Sequence, residues 1–121
     1  MKLVNVTNSY KQLVNKQLEN TDAYFVKVYS AGNTTAVYSE AAHHVEVLIM
    51  NKNRRIRPTE VKEILAKLLK RLPKEAYDPD EISIIELNHV TEVSVPLKVS
   101  LMENLKKLPK FPHFGIFFNL L

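Results

Sequence analysis

The sequence predicts an α+β domain: a mostly antiparallel sheet of about five to six strands with two helices on one face, in the order β-α-β-β-β-α-β-β-(α). Three observations predict it. Val61, Ile64, Leu65, Leu68, Leu69 and Leu72 recur at helical spacing. Between residues 23 and 50, three segments rich in β-branched and aromatic residues follow one another across short connections, which favours antiparallel pairing. The chain is 121 residues long, 45% hydrophobic and 25% charged, which suits one domain with one core.

The elements follow in order. "KLVNV" (2–6) alternates polar and apolar residues and reads as a short strand. Thr7 and Asn8 are good helix caps, and Tyr10, Leu13, Val14 and Leu18 continue at helical spacing to about residue 20. "AYFVKVYS" (23–30) and "TTAVYSE" (34–40) flank "AGN", which carries one of the chain's two glycines, a hairpin signal. "HVEVLIM" (44–50) extends the meander. Pro58 and Thr59 open the leucine-rich helix and Pro73 closes it. "ISIIEL" (82–87) and "TEVSV" (91–95) read as two more strands around a tight turn at Asn88-His89. "LKVSLMENLKKL" (97–108) fits a last helix. "FPHFGIFFNLL" at the end has no clear period. The division this implies is a single α+β domain over 1–103 and an apolar C-terminal tail over 104–121.

Several chemistries are excluded by residue type. Without cysteine there are no disulfides, thiolate metal sites or cysteine nucleophiles. Two glycines, Gly32 and Gly115, cannot build a glycine-rich phosphate loop. No G-x-S-x-G elbow exists. The start lacks the apolar run of a signal peptide and no segment approaches a membrane span, so the expectation is a cytoplasmic protein with no membrane partner. His43 and His44 resemble a metal pair, but neighbours on a strand point to opposite faces. "DPDE" gathers Asp78, Asp80 and Glu81 without the alternating ligands of a calcium loop and reads as a turn ahead of a strand. The expectation is a protein with no catalytic residues, metal or cofactor.

Charge is segregated. Residues 51–74 hold nine cations and two acids, net +7; residues 75–97 hold six acids and no cation, net −6. Such blocks can neutralise each other, within a chain or between chains. In the second helix, Glu60 and Glu63 stand in the first turn and Lys70, Arg71 and Lys74 at the end, the order the helix dipole favours. That leaves Lys52, Arg54, Arg55 and Arg57 as a candidate phosphate-binding cluster. Against it, no aromatic for base stacking lies between Tyr38 and Tyr77.

Apolar surface supplies the other candidate. If Val26, Val28, Val37, Val45, Val47 and Ile49 face the helices, then Phe25, Tyr29, Tyr38, Leu48 and Met50 share the opposite face, diluted by Lys27 and Glu46. That face is too apolar to stand bare. The tail adds Phe114, Phe117 and Phe118, and either packs on its own domain or meets a partner subunit.

"MKLVNVTNSYKQLVNKQLENTDAYFVKVYSAGNTT", with "VTNSY" and "QLENTDA" its most recognisable pieces, resembles the start of a small domain-of-unknown-function family from lactic-acid bacteria and their relatives. The resemblance runs to about residue 100 and implies a fold-sized unit in a cytoplasmic context, with no reaction attached. The segment after about Asn104 departs from it.

The functional expectation is a non-catalytic cytoplasmic protein–protein interaction domain that self-associates, a dimer favoured, through the sheet face and the C-terminal aromatics. The alternative is a nucleic-acid-binding module centred on the 52–57 loop.

Overall fold

The computed structural model describes residues 1–98. The predicted helix beyond Lys98, the 104–121 tail and Phe114, Phe117 and Phe118 lie outside the described residues. The order is β1 (Val4–Asn5), a 3₁₀ turn (Thr7–Tyr10), α1 (Lys11–Asn20), β2 (Phe25–Ala31), β3 (Thr34–Glu40), β4 (His44–Asn51), α2 (Pro58–Leu68), three further 3₁₀ turns, β5 (Ser83–Glu86) and β6 (Val90–Pro96). All six strands join one antiparallel sheet, ordered β1-β2-β3-β4-β6-β5. The α+β class and the strand count agree with the sequence.

The β2–β3 hairpin closes Ala31 against Thr34 around Gly32-Asn33. Gly32 takes φ +59, as a type II′ turn demands at its first central position, and only glycine does so without strain. The sequence expected Thr7 to cap α1. Instead Thr7 Oγ1 accepts the Val28 N–H at 3.0 Å, and Val6 N–H donates to Val28 O at 2.8 Å. Thr7 therefore prolongs the sheet, and α1 begins at Lys11 with no side-chain cap.

The placement of the helices on one face is corrected. Phe25, Tyr38, Val45, Val47, Ile49, Val93 and Val95 pack with Val61, Ile64, Leu65 and Leu68 of α2. Val26, Val28 and Val37 pack with Leu13 and Val14 of α1, and with Leu48 and Met50. The helices therefore lie on opposite faces. The physical reason is that both sheet faces are apolar and each needs a cover; the register sets which residues lie on which face, since Tyr38 pairs with Lys27 and Val47, and Glu40 with Phe25 and Val45. Partners across an antiparallel ladder share a face, so a one-residue slip in the assumed alignment turns a whole strand over. α2 covers the larger core. α1, with no fully buried residue, covers a smaller one.

Candidate functional site

The α2 face holds two buried carboxylates, each gripped by an arginine. Glu40, 1% exposed, accepts from Tyr38 Oη at 2.6 Å, from Tyr24 Oη at 3.3 Å, and from Arg71 through Nε and through Nη2 at 3.0 Å. The Arg71 guanidinium stacks 4.0 Å from the Phe25 ring centroid, and Phe25 meets Tyr38 edge-on. Burial, then the charge of Glu40, pushes both tyrosine hydroxyls above their ordinary pKa, which keeps them as donors. Burial disfavours the Arg71 charge, but its hydrogen bonds to Glu40 and the charge there outweigh this and raise its pKa. Four donors satisfy a group that would be costly to bury alone.

The second pair organises the basic loop. Arg54 reaches Glu60 through Nη1 at 2.5 Å and Nη2 at 2.8 Å. Glu60 also accepts the Arg57 N–H at 3.1 Å, capping α2 where Pro58 begins it. Those Arg54 bonds, against the opposing effect of burial and helped by the Arg57 N–H, bring the Glu60 pKa down to about 2. Asn51, 3% exposed, is the hub the sequence did not reveal. Its Oδ1 accepts the N–H groups of Asn53 and Arg54, its Nδ2 donates to Thr34 Oγ1 at 3.0 Å, and its carbonyl accepts from His89 Nδ1 at 3.0 Å. Of the four candidate phosphate binders, Arg54 is thus committed to Glu60. Lys52, Arg55 and Arg57 are exposed and form no ion pair among the described residues.

The predicted interface is corrected. Phe25 and Tyr38 are 4% and 1% exposed, inside the core beneath α2. Tyr29 lies on that same face, half-buried. Leu48 and Met50 lie on the other face, half-buried against the α1 cluster. The five never share a surface, because the assumed parity failed between β3 and β4. Of the two ways the charge blocks could neutralise each other, the one within the chain is absent among the described residues: no ion pair joins 51–74 to 75–97.

Exposed apolar surface concentrates elsewhere. Among the described residues β5 ends the sheet, and its four residues are exposed. Ile84 is 47%, Ile85 52% and Leu87 53% exposed. Ile84 pairs with Val93 and so lies on the α2 face; Ile85 pairs with Glu92 on the α1 face. The edge is apolar on both sides, and Asp78, Asp80, Glu81, Glu86 and Glu92 surround it in sequence or register. On the α1 face a groove of about 530 Å³ runs between Gln17 and Thr21 of the α1 end and Leu48, Ile85, Glu46 and Glu92 of the sheet. Among the described residues no cluster of three acids or histidines is arranged to hold a metal. No described helix is long and apolar enough to cross a membrane.

Consecutive isoleucines in "ISIIEL" signal a strand apolar on both faces. Its place at the edge came from β6 inserting between β4 and β5, which no local pattern encodes.

Comparison with known proteins adds a family and a fold. The family model described as a domain of unknown function (DUF1827) matches residues 1–96. No curated protein matches the chain. The crystal structure of a conserved protein of unknown function from Streptococcus thermophilus is similar at 41% identity and a TM-score of 0.77. The match covers 82% of this chain and 99% of that one.

Proposed function

This chain belongs to the DUF1827 family, and we propose that it is a non-catalytic, cytoplasmic protein–protein interaction domain that dimerises through the open edge of β5. The observation that carries this reading is the edge itself. A terminal strand presents unpaired N–H and C=O groups, and natural sheets usually blunt such an edge with charge, proline or a bulge. Here the strand interior offers Ile84 and Ile85 on its two faces.

A second copy fits this edge in a defined way. A two-fold axis perpendicular to the sheet keeps the faces continuous only when residues of equal parity meet, so the pairing centres on Ile84 or on Ile85. Glu86 then lies across Ile82 or Ile84 of the other copy, not across another Glu86. Direct like-charge opposition is avoided, yet two acidic edges still approach. Screening that repulsion predicts self-association that strengthens with salt.

Light scattering across protein and salt concentrations tests this, on the full chain and on a chain ending near Leu105. The expected result is a dimer that grows with salt and vanishes in Ile85→Lys. A monodisperse monomer throughout would overturn it.

The second reading is nucleic-acid binding through the 52–57 loop. What favours it is that Lys52, Arg55 and Arg57 stand exposed without carboxylate partners among the described residues. Salt separates the two readings, because phosphate contacts weaken as salt rises. Titration of labelled duplex and single strands checks it, and indifference to replacing both arginines by glutamine disposes of it.

A further inference from the structure

A second set of cations, outside the 52–57 loop, converges on a concave site. A cleft of about 400 Å³ is lined by Lys2, Leu3, Tyr29, Lys67, Leu68 and Arg71. Lys67 and Arg71 are four residues apart, on neighbouring turns. Lys2 comes from the segment leading into β1 and Tyr29 from β2, so three parts of the chain build the walls.

The charges there are unbalanced. Glu63 pairs with the N-terminal amine at 3.4 Å. Glu40 pairs with Arg71. Lys2 and Lys67 form no ion pair among the described residues. Among the described residues Lys67 donates only to the neutral Met1 carbonyl.

Arg71 is also preorganised. Glu40 engages its Nε and Nη2, while Nη1 makes no hydrogen bond among the described residues. Phe25 holds the guanidinium plane from one side. A guanidinium fixed this way gives up little freedom on binding, and its spare N–H groups match a tetrahedral oxyanion. The buried Glu40–Tyr24–Tyr38 cluster thereby gains a role beyond filling the core: it sets the orientation of a cation at a cleft wall. Leu3, Leu68 and the Tyr29 ring give that cleft an apolar lining suited to an organic group attached to the anion.

We propose that this cleft binds the dianionic phosphate group of a small phosphate ester, with Lys2, Lys67 and Arg71 as its ligands. The test titrates inorganic phosphate, phenyl phosphate and acetate at constant ionic strength into full-length protein with a native N-terminus. Backbone amide shifts of Tyr29 and the Arg71 Nε–H signal report the site. Both phosphates are expected to bind and acetate to bind far more weakly. Tighter phenyl phosphate supports an ester as ligand; equal affinities support free phosphate in the same site. Lys67→Gln and Lys2→Gln alter exposed side chains that the core does not need. Each is expected to weaken binding roughly tenfold or more, the change that follows loss of a hydrogen bond to a charged group. Arg55→Gln with Arg57→Gln serves as control and is expected to change nothing. Absence of saturable binding, or loss of binding in that control while Lys67→Gln binds normally, would overturn the proposal. The cleft lies by β1 and β2, at the opposite end of the sheet from β5, so the dimer proposal stands or falls separately.

Discussion

Residues 51–74 and 75–97 carry almost equal and opposite charge, +7 and −6, and the fold treats them differently. In the basic segment the two arginines with ion pairs, Arg54 and Arg71, hold carboxylates of the α2 face, one from within the segment and one from β3. In the acidic segment no carboxylate forms an ion pair among the described residues, and the acids surround an exposed apolar edge. Complementary blocks in a sequence therefore need not meet. What decides is which side chains the register turns inward. Glu40 lies beneath α2 and Glu60 stands in the first turn of α2, and an arginine reaches each. Glu86 lies on the edge strand and Glu92 on the α1 face, and both are exposed among the described residues.

The largest test of this contrast removes one partner of an inward pair. Glu40→Ala leaves Arg71 partly buried beside two tyrosine hydroxyls that have lost their acceptor. A cost of about 3–5 kcal/mol is expected, as for breaking buried pairs elsewhere. Chemical denaturation measures it. The double change Glu40→Leu with Arg71→Met is expected to recover much of the loss, because an apolar pair of similar volume removes the stranded charge. If the single change costs no more than a surface substitution, the buried cluster is not what distinguishes the two segments.

Glu60 gives a smaller effect with a pH signature. Its folded pKa is lowered from 4.5 to about 2. A group lowered on folding contributes stability that is complete above its unfolded pKa and lost as pH falls toward the folded value. Stability should therefore decline between about pH 5 and pH 2, and Glu60→Gln should flatten part of that decline. At neutral pH the same change should cost about 1–3 kcal/mol, because Arg54 and the Arg57 N–H lose a charged acceptor. Denaturant midpoints across the acid range check both. An unchanged pH profile would place the acid sensitivity elsewhere.

Much of the fold was legible because local patterns are strong. β3 spans Thr34–Glu40 as the sequence implied, Gly32 marks the hairpin, and Pro58 opens α2. What stayed hidden depended on non-local choices. The sequence pattern puts Phe25 and Tyr38 on the outer face, and they are core. Alternation within each strand follows from the sequence, but the relative phase of β3 and β4 is set by their connection, where Glu40 pairs with Val45. One residue of phase decided which half of the apolar side chains met α2. The edge position of β5 and the hub at Asn51 share this character, since both arise where segments distant in sequence meet. The cationic cleft does too: nothing local joins Lys2 to Lys67.

The outward segment supplies the next test. Ile85→Lys introduces charge on an exposed edge, so its cost to the monomer should stay within about 0.5 kcal/mol, as for most surface changes. Its effect on association should be complete, since an edge lysine is a common way to block strand pairing. Sedimentation velocity at high salt, where the dimer is expected to be strongest, reads the second effect and a denaturation midpoint the first. A variant that unfolds would mean that Ile85 supports the hairpin, and the edge would then be structural.

The smallest expected effect is also the sharpest division within the basic segment. Arg55 and Arg57 are exposed and unpaired among the described residues, unlike Arg54. Replacing either by glutamine should move stability by no more than about 0.5 kcal/mol. Arg54→Gln should cost more, because it frees the Glu60 carboxylate that caps α2 and contacts Thr34. Three neighbouring arginines thus predict two outcomes, and a denaturation series on the three single variants distinguishes them. Equal losses at all three would mean that the loop is held by its summed charge. A loss confined to Arg54 would leave Arg55 and Arg57 unneeded by the fold and available to a partner, which is where the nucleic-acid titration takes over.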